Sequence, residues 1–216
     1  MLQHGEQQKK NRFLTVSTVS KITNKKLPHS FYLRPTLTVA KDLLGKYLVR
    51  KLGKKTLIGK IVEVEAYLGE KDPASHAYHG KTKRNEVMFR SGGHLYVYFT
   101  YGMHFCANIV TEEEGVGHAV LLRAVEPVNG IETMRKMRGK NGAGVNVSNG
   151  PAKLCEAFNI KRKENGTDLL SSEIFITAGE RISTSDITSS ARIGIRKAVE
   201  KRWRFYMRGN KFVSAS

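Results

Sequence analysis

The segment IGKIVEVEAYL, residues 58–68, decides the fold because apolar and polar side chains alternate strictly along it from Val62 onward. Side chains of a β-strand point to opposite faces in turn, so this alternation predicts a strand with two distinct faces. One face carries Val62, Val64 and Ala66. The other face carries Glu63, Glu65 and Tyr67. The segment therefore predicts a strand that packs its apolar face on a core.

The segments on both sides of this strand mix strands and helices without a regular alternation. Further strands are predicted at residues 47–51, 94–100, 105–110, 118–123, 173–178, 191–195 and 204–208. Helices are predicted at residues 38–45, 130–138 and 151–158, with Thr38 as N-cap, Gly45 as C-terminal stop and Pro151 in a first turn. Residues 94–100 and 105–110 flank a Tyr-Gly turn and are predicted to form a hairpin. The strand at residues 118–123 is predicted to end at the Glu-Pro pair of residues 126–127. This pattern predicts one mixed α+β domain with antiparallel pairs.

The charge of the chain points to a polyanionic partner. Its 216 residues contain 37 Lys and Arg against 19 Asp and Glu, which gives a net charge of +18. Basic surfaces bind nucleic acid because they displace the cations condensed on its phosphates. An anionic membrane surface is the competing interpretation, but the sequence has neither an apolar span nor a lipidation signal. Nucleic acid is therefore the favoured partner, and no membrane partner is expected.

The composition also predicts how the chain is divided and what its cysteines do. Residues 1–28 are polar and basic with little apolar periodicity, which predicts a flexible basic arm, and residues 29–216 form the folded domain. Cys106 and Cys155 lack the spacing of a disulfide framework or a zinc site. They are predicted to be reduced, buried thiols.

Glu65 is a candidate for chemistry. Together with Glu63 it could simply form a solvated strand face. Tyr67 on the same face, with His76 just beyond, instead favours a pocket lined by a carboxylate, a phenol and an imidazole. The residues alone leave both interpretations open.

A second candidate group consists of three tyrosines around the predicted hairpin. Aromatic side chains suit strands, which accounts for Tyr96 and Tyr98 without any function. Tyr101 fits that account poorly because it precedes Gly102 at the tip. In a basic protein, an exposed aromatic ring is a candidate to stack on bases or to enter between them.

His76 and His79 are three residues apart and could be a pair of metal ligands. No third ligand accompanies them at a helpful spacing, which favours a structural or substrate-contacting role. The sequence therefore predicts no metal site and no cofactor.

Five strings occur in one order along the chain: IVEVEAYLG (61–69), LYVY (95–98), YGM (101–103), LLRAVEP (121–127) and NGPAKL (149–154). In that order they resemble the alkyladenine (3-methyladenine) DNA glycosylase family, and the resemblance extends from about Phe31 to Val213. It implies a single α+β domain with a curved antiparallel sheet, peripheral helices and a protruding β-hairpin.

The resemblance also implies roles for individual residues. Glu65 matches the general base that activates water, Arg123 matches an arginine that holds the water and the carboxylate, and the backbone of Ile193 matches a further water contact. The family's pocket for the flipped base corresponds to Tyr67, His76, Tyr98 and Asn108. Asn108 matches the asparagine that discriminates against the guanine amino group. The residues that the family inserts into DNA correspond to Tyr101 and Met103. The residues that contact the DNA backbone correspond to Arg84 and Lys153. The chain departs from the family at His104, where another aromatic residue is frequent.

The activity implied is base-excision repair by a monomer that acts on double-stranded DNA through the minor groove, inside the cell with its DNA. The enzyme would release alkylated or deaminated purines, of the 3-methyladenine, 7-methylguanine, hypoxanthine and ethenoadenine class. No lysine matches a Schiff-base nucleophile, so the resemblance implies a monofunctional N-glycosyl hydrolase without strand cleavage.

Three other classes of protein fit the sequence less well than a DNA glycosylase of this family. A non-catalytic nucleic-acid or ribosome-binding protein would explain the charge but not Glu65 with its aromatic neighbours. A zinc nucleobase deaminase would need the HxE…PCxxC signature, which the sequence lacks. A helix-hairpin-helix glycosylase would need a mainly helical chain, against the strand pattern found.

Overall fold

The computed structural model describes residues 15–214. Its α-helices are α1 (Val16–Thr23), α2 (His29–Tyr32), α3 (Thr36–Leu43), α4 (Ile131–Arg138) and α5 (Pro151–Ala157). Its strands are β1 (Tyr47–Leu52), β2 (Lys55–Leu68), β3 (His94–Thr100), β4 (His104–Thr111), β5 (His118–Asn129), β6 (Thr167–Asp168), β7 (Ile174–Thr177), β8 (Ile187–Ser190) and β9 (Arg204–Met207). Within residues 15–214, no helix is both long enough and apolar enough to cross a membrane.

All nine strands belong to one antiparallel sheet, whose main path runs β6-β3-β4-β5-β2-β1-β7. Strand β2 lies near its middle and changes partner along its length. Its first half pairs with β1, from Tyr47↔Lys60 to Leu52↔Lys55, and its second half pairs with β9, from Glu63↔Tyr206 to Glu65↔Arg204. The register with β5 shifts three times along the same stretch, and such bulges bend a strand and increase its twist. The mixed α+β domain built on a single antiparallel sheet is confirmed.

The two faces of β2 are both buried. Val62, Val64 and Ala66 have no exposed area and belong to the main apolar core, against which α3, α4 and α5 contribute buried side chains. Glu63 and Glu65 on the opposite face have no exposed area either. The alternation therefore predicted the two faces correctly, and a solvated carboxylate face is excluded. A buried charge is unstable unless it is paired, so each carboxylate must have partners.

Several predicted boundaries are wrong, each for a local reason. The helix predicted from Thr38 begins at Thr36 after Pro35, although it does end before Gly45, which has a φ of +80°. Strand β5 continues past Glu126 to Asn129, and its Pro127 lies opposite Gly59 at a register shift, the kind of irregularity at which a strand tolerates proline.

The strand predicted at residues 191–195 is absent, and β8 (Ile187–Ser190) precedes that segment instead. Gly194 has a φ of +75°, and the Ile193 N–H binds a side chain rather than a neighbouring strand. Both features remove the segment from the sheet.

The arm predicted over residues 1–28 requires a correction where the structure describes it. Residues 16–23 form α1, which Thr15 caps through a hydrogen bond from the Thr18 N–H. Val19 and Ile22 pack on a small cluster that includes Phe175, and the Leu27 N–H donates to the Ile176 carbonyl. These apolar contacts order the segment despite its basic composition. Residues 1–14 lie outside the described part of the chain.

Candidate active site

A cavity of about 550 Å³ opens on the side of the sheet that carries the Glu63, Glu65 and Tyr67 face of β2. Eight of the residues to which the resemblance assigns a role line it: Tyr67, His76, Arg84, Tyr98, Tyr101, Asn108, Arg123 and Ile193. Glu65, Met103 and Lys153 do not line it. Strands β2 to β5 and the segment after Arg192 thus converge on one concave site, the usual form of a small-molecule or base-binding pocket.

Glu65 lies directly behind the wall of this cavity, since all three groups that bind its carboxylate are cavity-lining residues. The Ile193 N–H donates to Oε1 over 2.7 Å, and Arg123 Nη1 lies 3.2 Å from the same oxygen. The Tyr67 hydroxyl donates to Oε2 over 2.9 Å. Three donors from three parts of the chain therefore fix the orientation of the carboxylate and balance its buried charge.

Glu63 differs from Glu65 because its carboxylate is fully occupied by structural partners. Arg123 Nε and Arg204 Nε lie 2.8 and 2.7 Å from its Oε1, and the Ser214 N–H donates to Oε2 over 2.6 Å. Burial disfavours the charged form of Glu63, but the charge of Arg123 and the hydrogen bonds from Ser214 and Arg204 outweigh it and lower the pKa. Glu63 is therefore the anchor of an ion-pair network, and Arg123 connects that network to Glu65.

The aromatic wall is built by Tyr67 together with residues of β3 and of the loop that precedes it. The rings of His76 and Tyr98 meet edge to face with centroids 4.5 Å apart, and His76 Nδ1 lies 3.0 Å from the Tyr96 hydroxyl. The His76 ring remains open to the cavity. Its partial removal from bulk solvent lowers its pKa, and the positive charge of Arg84 lowers it further. His76 is consequently a neutral imidazole at neutral pH, which suits contact with a cationic ligand.

The Tyr67 hydroxyl is held in its protonated form. Burial raises its pKa well above the ordinary value, and the neighbouring Glu65 carboxylate raises it further. A phenol with a raised pKa remains a donor across the physiological range, so Tyr67 can hold Glu65 at any pH the cell encounters.

Asn108 forms a polar part of the same wall. It is buried on β4 opposite Leu121, and its Nδ2 donates to the Tyr96 carbonyl over 3.2 Å. The amide is therefore fixed in place and can exclude a ligand group that clashes with it.

The β3–β4 hairpin protrudes beside the cavity. Thr100 pairs with His104, which leaves a three-residue tip in which Tyr101 and Gly102 have φ values of +50° and +68°. Tyr101 is 83 % exposed and Met103 is 69 % exposed. Large apolar side chains that are presented this openly on a basic protein are suited to enter a base stack.

The residues predicted to contact the DNA backbone are placed differently from each other. Arg84 lines the cavity, whereas the Lys153 ammonium lies 3.0 and 2.8 Å from the side-chain oxygens of Asn146 and Asn149. His104, the departure from the family pattern, lies 3.4 Å from a Glu156 oxygen through its Nδ1.

The sequence analysis named Tyr96 as a candidate tyrosine without a site role and Cys106 only as a buried thiol, and it missed Arg196 and Lys197. Tyr96 positions His76, and Cys106, Arg196 and Lys197 line the cavity. The adjacent basic pair Arg196 and Lys197 was visible as charge but had no predicted position. Across residues 15–214, no three His, Cys, Asp or Glu side chains are grouped so that they could hold a metal ion. Both cysteines are free and buried.

Comparisons with known proteins identify the family of the chain. The family model of methylpurine-DNA glycosylase matches residues 30–211. A protein of Carboxydothermus hydrogenoformans with the provisional name 3-methyladenine DNA glycosylase is 53% identical over 189 residues, which are 87% of this chain and 98% of the relative. Relatives with the same provisional name from Clostridium perfringens (48% identical, 88% of this chain and 98% of the relative) and Francisella tularensis (49% identical, 83% and 93%) are similar to a like degree. The chain therefore belongs to the methylpurine-DNA glycosylase family and is a DNA glycosylase of DNA repair.

Proposed function

We propose that the chain flips alkylated or deaminated purines out of duplex DNA and hydrolyses their N-glycosidic bond with a water that Glu65 activates. The observation that carries this proposal is the buried Glu65 carboxylate, held by three donors at the back of an aromatic cavity. A base inside a duplex cannot be reached at its sugar, so the nucleotide must first be extruded, at a cost of a few kcal/mol.

The hairpin supports the extrusion step. Tyr101 at its exposed tip is the residue that would occupy the space that the flipped nucleotide leaves in the stack, with Met103 beside it. Stacking of a base on an aromatic ring is worth about 1–3 kcal/mol, which is the size needed to offset the cost of flipping. The minor groove is the side of the duplex on which such apolar wedges act.

The aromatic wall supports recognition of the flipped base. A methylated purine such as 3-methyladenine carries a positive charge and is attracted to the faces of Tyr67 and Tyr98. The neutral His76 adds no repulsion. The fixed Asn108 amide would crowd the 2-amino group of normal guanine and thereby exclude it.

The chemical step is a displacement by water at C1′ of the sugar. Water gives a proton to Glu65 as its oxygen bonds to C1′, and the bond from C1′ to the purine nitrogen breaks with its electron pair on the purine. In a cationic purine this pair neutralises the ring charge, so the base leaves without an added proton. Arg123 and the Ile193 N–H hold the carboxylate in the required direction.

The product of this step is an abasic site in an intact strand. Within the described residues, no lysine amine binds Glu65, and Lys197, which lines the cavity, matches no Schiff-base nucleophile of the family. We therefore propose a monofunctional enzyme that needs no cofactor, works as a monomer inside the cell with its DNA, and contacts phosphates through Arg84 and Lys153.

The test is single-turnover base release from duplexes that contain 3-methyladenine, 7-methylguanine, hypoxanthine or ethenoadenine. Glu65→Gln should slow release by at least about 100-fold, because a general base contributes roughly 10²–10⁴-fold. Glu126→Gln, the same substitution on neighbouring β5 but outside the cavity, is the matched control and should leave release unchanged. Strand breaks should form only after alkali is added.

Three results would count against the proposal. Release by Glu65→Gln at the wild-type rate would remove Glu65 as the base. Binding of damaged duplexes without any release by the wild-type protein would favour the non-catalytic class. Strand cleavage without alkali would exclude a monofunctional enzyme.

A further inference from the structure

We infer that the buried ion pair between Arg192 and Asp72 is a positioning device that holds both the Ile193 N–H and the Tyr67 ring against Glu65. The inference rests on the proposed function and deepens it. Arg192 and Asp72 do not line the cavity, and both side chains are completely buried. They act on the site only through the residues they hold.

The guanidinium of Arg192 joins three parts of the chain at one point. Nη1 and Nη2 lie 2.5 and 2.8 Å from the two carboxylate oxygens of Asp72, a bidentate pair with fixed geometry. Nη1 also donates to the Ala66 carbonyl over 2.9 Å. Arg192 therefore binds β2 beside Glu65 and, through Asp72, the start of the loop that leads to His76.

The same guanidinium stacks on the ring that donates to Glu65. Its central carbon lies 4.6 Å from the centroid of Tyr67 and 5.2 Å from that of Trp203. Since Tyr67 lines the cavity and Arg192 does not, the guanidinium supports the ring from behind. A flat cation that stacks on one face limits the tilt of the ring and so fixes its hydroxyl on Oε2 of Glu65.

The position of Arg192 in the chain completes the argument. Its neighbour Ile193 donates to Oε1 of Glu65, although the segment belongs to no strand and Gly194 follows with a φ of +75°. A segment outside the sheet has no ladder hydrogen bonds to keep it in place. The Arg192 side chain supplies that fixation, so two of the three donors of Glu65 depend on one ion pair.

The role of Asp72 is equally specific. Besides Arg192, its carboxylate accepts the Ala74 N–H over 3.1 Å, which fixes the loop at Pro73 and Ala74 where it lines the cavity. Without Arg192, this carboxylate would remain buried with only backbone donors.

The test compares Arg192→Lys with Arg50→Lys. Lysine keeps the charge but loses the bidentate fork and the stacked plane. Arg50 forms the matched control, because it pairs with Glu164 over 2.7 Å in another buried ion pair that does not line the cavity. For Arg192→Lys we expect single-turnover base release to fall about 100-fold, the penalty of misplacing a catalytic group by about 1 Å. Binding to a duplex with a stable abasic-site analogue should stay unchanged, and Arg50→Lys should release bases at the wild-type rate.

A second pair of variants covers the case in which either lysine variant fails to fold. Arg192→Met combined with Asp72→Asn removes both charges of the ion pair, so no buried charge is left without a partner. Arg50→Met combined with Glu164→Gln makes the same change at the control site. Thermal melting of all four variants shows whether the two sites are equally destabilised. A loss of release confined to the Arg192 variants supports the inference, since a merely structural role predicts equal effects at both sites.

The outcomes separate this inference from the proposed function. If the wild-type protein releases no damaged base, the proposed function fails. If the wild-type protein is active and Glu65→Gln is not, but the Arg192 variants release bases as fast as the wild-type protein, only the positioning role fails. Equal loss of release in the Arg192 and Arg50 variants overturns it as well.

Discussion

Replacing Tyr67 by Phe removes one hydrogen bond on the Glu65 carboxylate and leaves the aromatic wall intact. The hydroxyl donates to Oε2 over 2.9 Å, and it is the only hydrogen-bond donor to that oxygen among the described residues. The hydroxyl fixes the direction of the carboxylate, and misplacing a catalytic group by about 1 Å costs about 100-fold in rate. Because the Ile193 N–H and Arg123 still hold Oε1, Tyr67→Phe should slow base release by roughly 10- to 100-fold.

The assay is single-turnover release of 7-methylguanine, measured beside binding to a duplex with a stable abasic-site analogue. Binding should be unchanged because the phenylalanine ring still forms the wall. Tyr47→Phe, on β1 and outside the cavity, serves as the matched control and should release at the wild-type rate.

The pH dependence adds a second criterion. Burial and the Glu65 charge raise the pKa of Tyr67 well above its ordinary value near 10, so the hydroxyl stays a donor as the pH rises. The ratio of the wild-type to the Tyr67→Phe rate should therefore be constant between about pH 7 and pH 10. A ratio near one at all pH values, or one that collapses below about pH 9, would refute the reasoning.

Two further predictions concern the hairpin and the buried network. Tyr101→Ala should leave the melting temperature unchanged, because the side chain is 83 % exposed, yet it should slow release from duplex DNA by an amount equivalent to about 1–3 kcal/mol while release from single strands is unaffected; equal slowing on both substrates would contradict a role in insertion. Glu63→Gln should lower the free energy of unfolding at pH 7 by about 3–5 kcal/mol, because Arg123 and Arg204 lose their counter-charge. Since the pKa of Glu63 is lowered by folding, its stabilisation is present above the ordinary glutamate pKa and is lost as the pH falls through the folded value. Urea unfolding should accordingly show the two proteins converging in stability below about pH 4; a constant difference down to pH 2 would contradict this.

The faces of β2 could be predicted from the sequence because alternation is a local property. Period two placed Glu63 and Glu65 on one face, and that face exists. The different environments of the two carboxylates could not be predicted from this pattern. Ser214, which distinguishes Glu63, lies 151 residues away along the chain, and no periodicity reports a contact over that separation.

The segment around Ile193 shows the limit of propensity arguments. Its apolar residues predicted a strand, whereas the backbone leaves the sheet so that one N–H can bind a carboxylate. The ion pair between Arg192 and Asp72 was invisible for a related reason, since its members are 120 residues apart and neither belongs to a motif. The ordered family strings did identify residues that the structure brings together around one cavity, and their roles in catalysis stay predictions.

The order in which the chain is synthesised determines when the Glu65 site can form. Both glutamates of β2 emerge early, but the Ile193 N–H follows 128 residues after Glu65 and the Ser214 N–H follows 151 residues after Glu63. Until those donors arrive, the two carboxylates have no complete set of partners and β2 lacks β9 on one edge. A chain that ends before Ile193 therefore lacks one of the three donors that hold the Glu65 carboxylate, however complete the rest of the sheet is.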